Sequence, residues 1–236
     1  MDGKSDSIIF GNFLDKTLAN LSMIGKDYAG RFKEFVNAKK DFVNGAYALV
    51  NSDKVKISEN GGYKDIDKKN YANYLNLHYG IDLSGKNIEG TDSYASLSGK
   101  IISNTVWNGL KEGAGNSLHI NYGFNFENSF YKTGIYGEYD HLLNQSVYTP
   151  GSYVNSNTAI GQVGNTGNSS GPHLHYSVYT TGTNNYNANI MTYLYGQNYQ
   201  STMMQSITHN ADGSIRPNNK YVYDPTYFYT NNRRSR

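Results

Sequence analysis

Two histidines, His173 and His175, stand one residue apart in GPHLHYSVY, directly after the turn-rich loop GNTGNSS. On a strand, residues i and i+2 share a face, so both rings reach one small site about 7 Å apart at Cα while Leu174 points away. Taken alone, an HxH pair is more often surface decoration than a working site. Upstream, NLHYGIDLSG places His78 and Asp82 as HxxxD. A helix would make these neighbours, but the β-type run IDL and the loop-forming SGK favour a strand. A straight strand separates the two Cα atoms by about 13 Å, too far for joint ligation at roughly 2 Å bond lengths. The chain is therefore expected to bend near Gly80, the residue that permits it.

Together the two motifs offer imidazole nitrogens and a carboxylate, a donor set that suits zinc and leaves a fourth tetrahedral position for water. Three ligands with one open position is the catalytic arrangement, and zinc so held brings the pKa of a water toward roughly 7. One of His78, Asp82, His173 and His175 is then left over for proton transfer. A further histidine, His141, ends the alternating run GEYDHL. Beside a metal it could take a proton from water or hydrogen-bond an oxyanion, effects of about 10² to 10⁴ in rate. His119, in NSLHINYG, reads as a sheet residue, and His209, in MQSITHNADG, as a loop histidine. Glu59 and Glu138 lack the HExxH spacing that would make either a metalloprotease base.

These groups need elements to hold them. Residues 7 to 50 carry Phe10, Phe13, Leu14, Leu18 and Leu21, then Phe32, Phe35, Val36, Phe42 and Val43, at helical spacings, with Gly25 and Gly30 as dividers. A helical N-terminal arm over 1–52 is expected. From residue 53 the texture turns polar, and short β-type runs follow: LHYGIDL, YASLSGKIIS, NSLHINYGF, TGIYGEYDHL, AIGQVG and HLHYSVY. Their Gly and Asn punctuation indicates a mainly β domain built on an antiparallel sheet. Residues 181–220, rich in Asn, Tyr, Thr and Gly, read as an insertion, and KYVYDPTYFY as a last strand ending at a proline turn.

Composition narrows the classes. The chain has 236 residues, enough for one substantial domain and an appendage. Its 23 tyrosines place much of the apolar surface in amphipathic rings. With a formal charge of only +2 and scattered Lys and Arg, no basic face for nucleic acid is visible. Absence of cysteine excludes disulfides, thiolate catalysis and Cys-type zinc sites, leaving His, Asp and Glu as metal ligands. No run reaches the roughly 18 apolar residues of a membrane helix, and MDGKSDSIIFGNF lacks a signal-peptide pattern. Action outside the cytoplasm would then need a trimmed signal, another export route, or a longer parent chain.

HYGIDL, GAGNSLHI, YDHL and AIGQVGNTGNSSGPHLHYSV, in this order, resemble the lysostaphin-type (LytM-like) zinc metallopeptidases, the cell-wall endopeptidase family. The resemblance covers about residues 55 to 180, with DPTYFY as a closing element. It implies one zinc per chain held by His78, Asp82 and His175, two non-ligand histidines at His141 and His173, and a small antiparallel β-sheet domain with the metal in a groove. It also implies peptidoglycan peptides as substrate and an extracellular, cell-wall or periplasmic location. All five positions are filled, unlike in the family's metal-less regulatory relatives. His119 sits one position before a residue the family usually fills with Ile or Val.

Two other readings compete. One is a non-hydrolytic, zinc-containing wall-binding or activator module, with residues 1–50 engaging a protein partner or a second copy. The other, a zinc D,D-carboxypeptidase ending in HxH, is disfavoured because EYDH lies far upstream of His175. The long segment before His141 and the 181–220 stretch depart from the family pattern, and could line the groove or be plain surface.

Overall fold

The computed structural model describes residues 28–44, 48–50, 56–60, 78–181, 204–209, 215–223, 225 and 228. Two compact units divide the chain, Met1–Lys40 and Asp41–Arg236. Among the described residues one helix is present, α1 (Tyr28–Asn44), and no helix is long and apolar enough to cross a membrane. Gly30 lies in the first turn of α1. A glycine costs a helix roughly 1 kcal/mol against alanine, too little to break one with several further turns. The earlier part of the expected arm, residues 7–27, lies outside the described residues, as do 182–203 and 210–214 of the expected insertion and most of DPTYFY.

The strands are β1 (Lys56–Asn60), β2 (Ile81–Ser84), β3 (Asp92–Tyr94), β4 (Gly99–Thr105), β5 (Asn116–Phe126), β6 (Ser129–Leu142), β7 (Tyr153–Val154), β8 (Ala159–Gln162), β9 (Leu174–Thr181), β10 (Met204–His209) and β11 (Ile215–Tyr223). The main sheet runs β1-β2-β9-β6-β5-β4-β7, and β11 pairs both β9 and β10; β3 and β8 form a separate ribbon. Every ladder is antiparallel, as the alternating runs led one to expect. His209, expected in a loop, closes β10 opposite Ile215, the β-type run SIT before it having a partner strand.

Period-two alternation decides the faces. Leu118, Ile120 and Tyr122 of β5, Ile135 and Tyr139 of β6, and Leu174, Tyr176 and Val178 of β9 are buried on one side with Ile81 and Leu83 of β2. Asp82, His175, Asp140, Glu138 and His119 take the intervening positions and share the other side. The core is tyrosine-rich, so its polar tips must be satisfied in place. The hydroxyls of Tyr122, Tyr139 and Tyr176 converge on Ser96: Tyr122 Oη lies 2.8 Å from Tyr176 Oη and 3.0 Å from Tyr139 Oη, and Ser96 N donates to Tyr139 Oη at 2.9 Å. Ser96 Oγ lies 2.9 Å from both Tyr122 Oη and Tyr176 Oη. Gly137 is glycine for this reason, since a Cβ there would run into the Tyr122 hydroxyl.

Candidate active site

The chain bends just before β2. His78 and Tyr79 are irregular, Gly80 is a bend, and the strand starts at Ile81, so the HxxxD pair closes to 3.0 Å between His78 Nε2 and Asp82 Oδ1. Asp82 is the ladder partner of His175. Directly opposed residues of an antiparallel pair project to the same face, and His175 Nδ1 lies 2.9 Å from Asp82 Oδ1 and 2.9 Å from His78 Nε2. One carboxylate oxygen and two imidazole nitrogens thus form a nearly equilateral triangle. Such crowding of acceptor atoms suits a shared cation, and the donor set fits zinc. Gly80 makes the arrangement sterically possible: a Cβ there would lie 2.6 Å from His175 Nε2 and 2.8 Å from the Tyr176 carbonyl.

The remaining two histidines reach the same place from other elements. His173 precedes β9 and bridges Gly164. Its Nδ1 lies 2.7 Å from the Gly171 carbonyl, and its Nε2 lies 3.5 Å from Asp82 Oδ2. His141, near the end of β6, holds its Nδ1 2.8 Å from the Thr166 carbonyl. Its ring centroid is 4.7 Å from that of His173 and 6.1 Å from that of His175. A carbonyl can only accept, so in each ring Nδ1 is the donor. The neutral imidazole then carries its lone pair on Nε2. Two backbone carbonyls therefore fix the tautomer of both histidines.

The loop carbonyls are themselves held. Thr166 Oγ1 donates to the Leu142 carbonyl at 2.9 Å and accepts from Asn116 N at 3.0 Å, while Asn116 Nδ2 donates to Leu142 O at 3.1 Å. Ser169 Oγ donates to Gly171 O at 2.9 Å. The GAGN and GNTG turns so lock onto the end of β6. Sequence reading passed over Thr166, Ser169 and Gly171, because a carbonyl that selects a tautomer leaves no mark in side-chain identity.

Electrostatics follow the packing. Burial by itself would raise the Asp82 carboxyl, but hydrogen bonds from the His175 and His78 rings and the charges of His78 and His173 outweigh it and hold the group well below the usual carboxylate range. Burial, helped by the neighbouring His173 and His175, pushes His141 down to about 4, against the opposing pull of the Thr166 carbonyl and the Asp82 carboxylate. His141 is thus neutral at pH 7.

A second convergence lies on the same face, where His119, Glu138 and Asp140 bring ligand atoms within 4.8 Å of one another. Glu59 lies in β1.

The sequence profile described as peptidase family M23 matches residues 76–188, the stretch that contains His78, Asp82, His141, His173 and His175. This segment belongs to peptidase family M23. Solved structures similar to the chain include a zinc-containing peptidase from Vibrio cholerae (24% identity, TM-score 0.41, covering 56% of this chain and 36% of that one). The catalytic domain of the antimicrobial peptidase lysostaphin from Staphylococcus simulans is similar at 25% identity and TM-score 0.38, over 59% of this chain and 84% of that one. A chain of the SpoIIIAH and SpoIIQ complex is similar at 25% identity and TM-score 0.43, over 56% and 90%. This chain spans about a third of the length of the Vibrio peptidase. No curated protein matches it. Within the M23 segment, β2 and β9, the residues just before each of them, and the end of β6 supply the five polar side chains, and the loop at 164–172 supplies the backbone carbonyls of Thr166 and Gly171 that orient two of them.

Proposed function

We propose that this protein is a zinc metalloendopeptidase that hydrolyses amide bonds in the peptide part of bacterial peptidoglycan, acting at the cell wall outside the cytoplasm. His78, Asp82 and His175 hold one zinc; His141 and His173 handle the proton and the oxyanion. In this reading residues 1–52 are an arm and 53–236 the peptidase domain. The observation that carries it is the pair of Nε2 lone pairs, on His141 and His173, beside a triangle of three ligand atoms.

Zinc, when bound, supplies a Lewis acid that lowers the pKa of a water and polarises the scissile carbonyl. Asp82 stays ionised to low pH and keeps its acceptor oxygens available. At Nε2 one of the two rings takes a proton from the attacking water as the water oxygen bonds to the carbonyl carbon. That ring returns the proton to the amine as the C–N bond breaks. The other ring, when it has taken up a second proton from solvent at Nε2 and is an imidazolium, hydrogen-bonds the oxygen that gains charge. The tautomer locks at Thr166 and Gly171 keep both rings aimed without reorganisation during the step.

Incubating the purified protein with peptidoglycan, with and without a chelator, and assaying new amines tests the reading. Chelator-sensitive amine release supports it. Metal-loaded protein that releases none from any defined wall type would leave the non-hydrolytic module as the correct description.

A further inference from the structure

We propose a second divalent-cation site on the same sheet face, formed by His119 of β5 with Glu138 and Asp140 of β6. His119 Nε2 lies 3.4 Å from Glu138 Oε1, and an Asp140 carboxylate oxygen completes a set whose members are all within 4.8 Å. An imidazole nitrogen with two carboxylates suits zinc or manganese.

The ligands are oriented by groups outside the set. The Tyr179 hydroxyl lies 2.8 Å from His119 Nδ1, which leaves Nε2 facing the carboxylates. Ser177 Oγ donates to Glu138 Oε2 at 2.7 Å, which leaves Oε1 facing His119. Partners that engage the far atom of each ligand are what metal sites use to fix tautomer and orientation. Both partners come from β9, whose Ser177 is the ladder partner of Glu138. Asp140 is 6% exposed, and the His119 and Glu138 side chains 20% and 14%, so one ligand is anchored in protein while two remain open to an incoming ion.

The site is distinct from the first. Asp140 opposes His175 in the ladder, and Glu138 lies two residues further along. Two strand residues span about 7 Å, whereas ions that share one water sit roughly 3.5–4 Å apart. A cation centred on His119 and Glu138 therefore lies beside the first centre, with Asp140 on the side of His175, and is not bridged to it. The assignment stands on its own residues and does not depend on the peptidase reading.

The test is the zinc stoichiometry of the full chain, stripped with chelator, titrated with Zn²⁺ alone by calorimetry and assayed for metal after gel filtration. The expected result is about two ions per chain, falling to about one in Glu138→Gln and in His119→Gln. His78→Ala, which leaves the second cluster intact, should also keep about one. A wild-type chain that holds one ion, lost in His78→Ala and retained in Glu138→Gln, would overturn the proposal. Thermal melts of the metal-free variants establish that each is folded, and the His78→Ala arm reads the site without altering it.

Discussion

The rings of His141 and His173 lie 4.7 Å apart because the backbone at His141 is left-handed, with φ of 61°. Along β6, Tyr139 faces the core and Asp140 opposes His175, so regular alternation would turn His141 inward. Instead the ladder to β5 slips: Leu118 pairs Tyr139, while Asn116 pairs Leu142, leaving an extra residue on β6. That bulge resets the phase and puts two consecutive side chains on one face. A left-handed conformation is uncommon for a non-glycine residue and persists where the surroundings over-determine it. Here His141 N donates to the Ala114 carbonyl at 2.9 Å, and the ring is tied to Thr166.

His141→Ala should leave zinc content unchanged and lower amine release by about 10² to 10⁴, the range for a lost proton-transfer or oxyanion group. Metal analysis and a rate assay on one preparation check both halves. Wild-type rates in the variant would remove His141 from the mechanism.

Gly80→Ala places a methyl group 2.6 Å from His175 Nε2. The ring must tilt away from Asp82 and His78, so zinc affinity should fall by about 10- to 100-fold, as for a lost orienting contact. Competition with a chromogenic chelator measures it. Unchanged affinity would mean that the backbone yields instead.

The metal-free protein should lose stability as pH falls from about 6.5 toward 4. His141 has a folded pKa pushed down to about 4, so in that window the unfolded chain binds the additional proton and stability rises with pH. Each tenfold difference in proton affinity between the folded and unfolded ring is worth about 1.4 kcal/mol at most. His141→Asn should flatten the dependence in this window. Asp82, whose carboxyl is held low, contributes stability that is lost only at more acidic pH. Urea unfolding at a series of pH values separates the two.

Ser96→Ala removes the hub on which three buried tyrosine hydroxyls converge. Groups left with unmet hydrogen bonds in the core cost about 1–3 kcal/mol. The urea midpoint should drop accordingly with the unfolding slope unchanged, and the rate of amine release at 25 °C should stay near wild type. A midpoint within error of wild type would show that the tyrosines satisfy one another.

Much of the architecture was legible because two-residue alternation is written into the side chains. HINY, GIYGEY and LHYSVY each announce a strand by alternating apolar core positions with more polar ones, and the structure pairs them antiparallel. The bend at Gly80 was legible too, since no straight strand brings an HxxxD pair within ligation distance.

By itself the sequence determined the donor types, their order, the strand period and the glycines that let backbone and ring approach. Only the tertiary structure decided that Asp82 and His175 are ladder partners, that His141 turns outward, and that carbonyls of Thr166 and Gly171 set the two tautomers. The reason is physical. Register, a left-handed residue and a backbone acceptor arise from contacts between distant segments, and side-chain identity does not encode them locally.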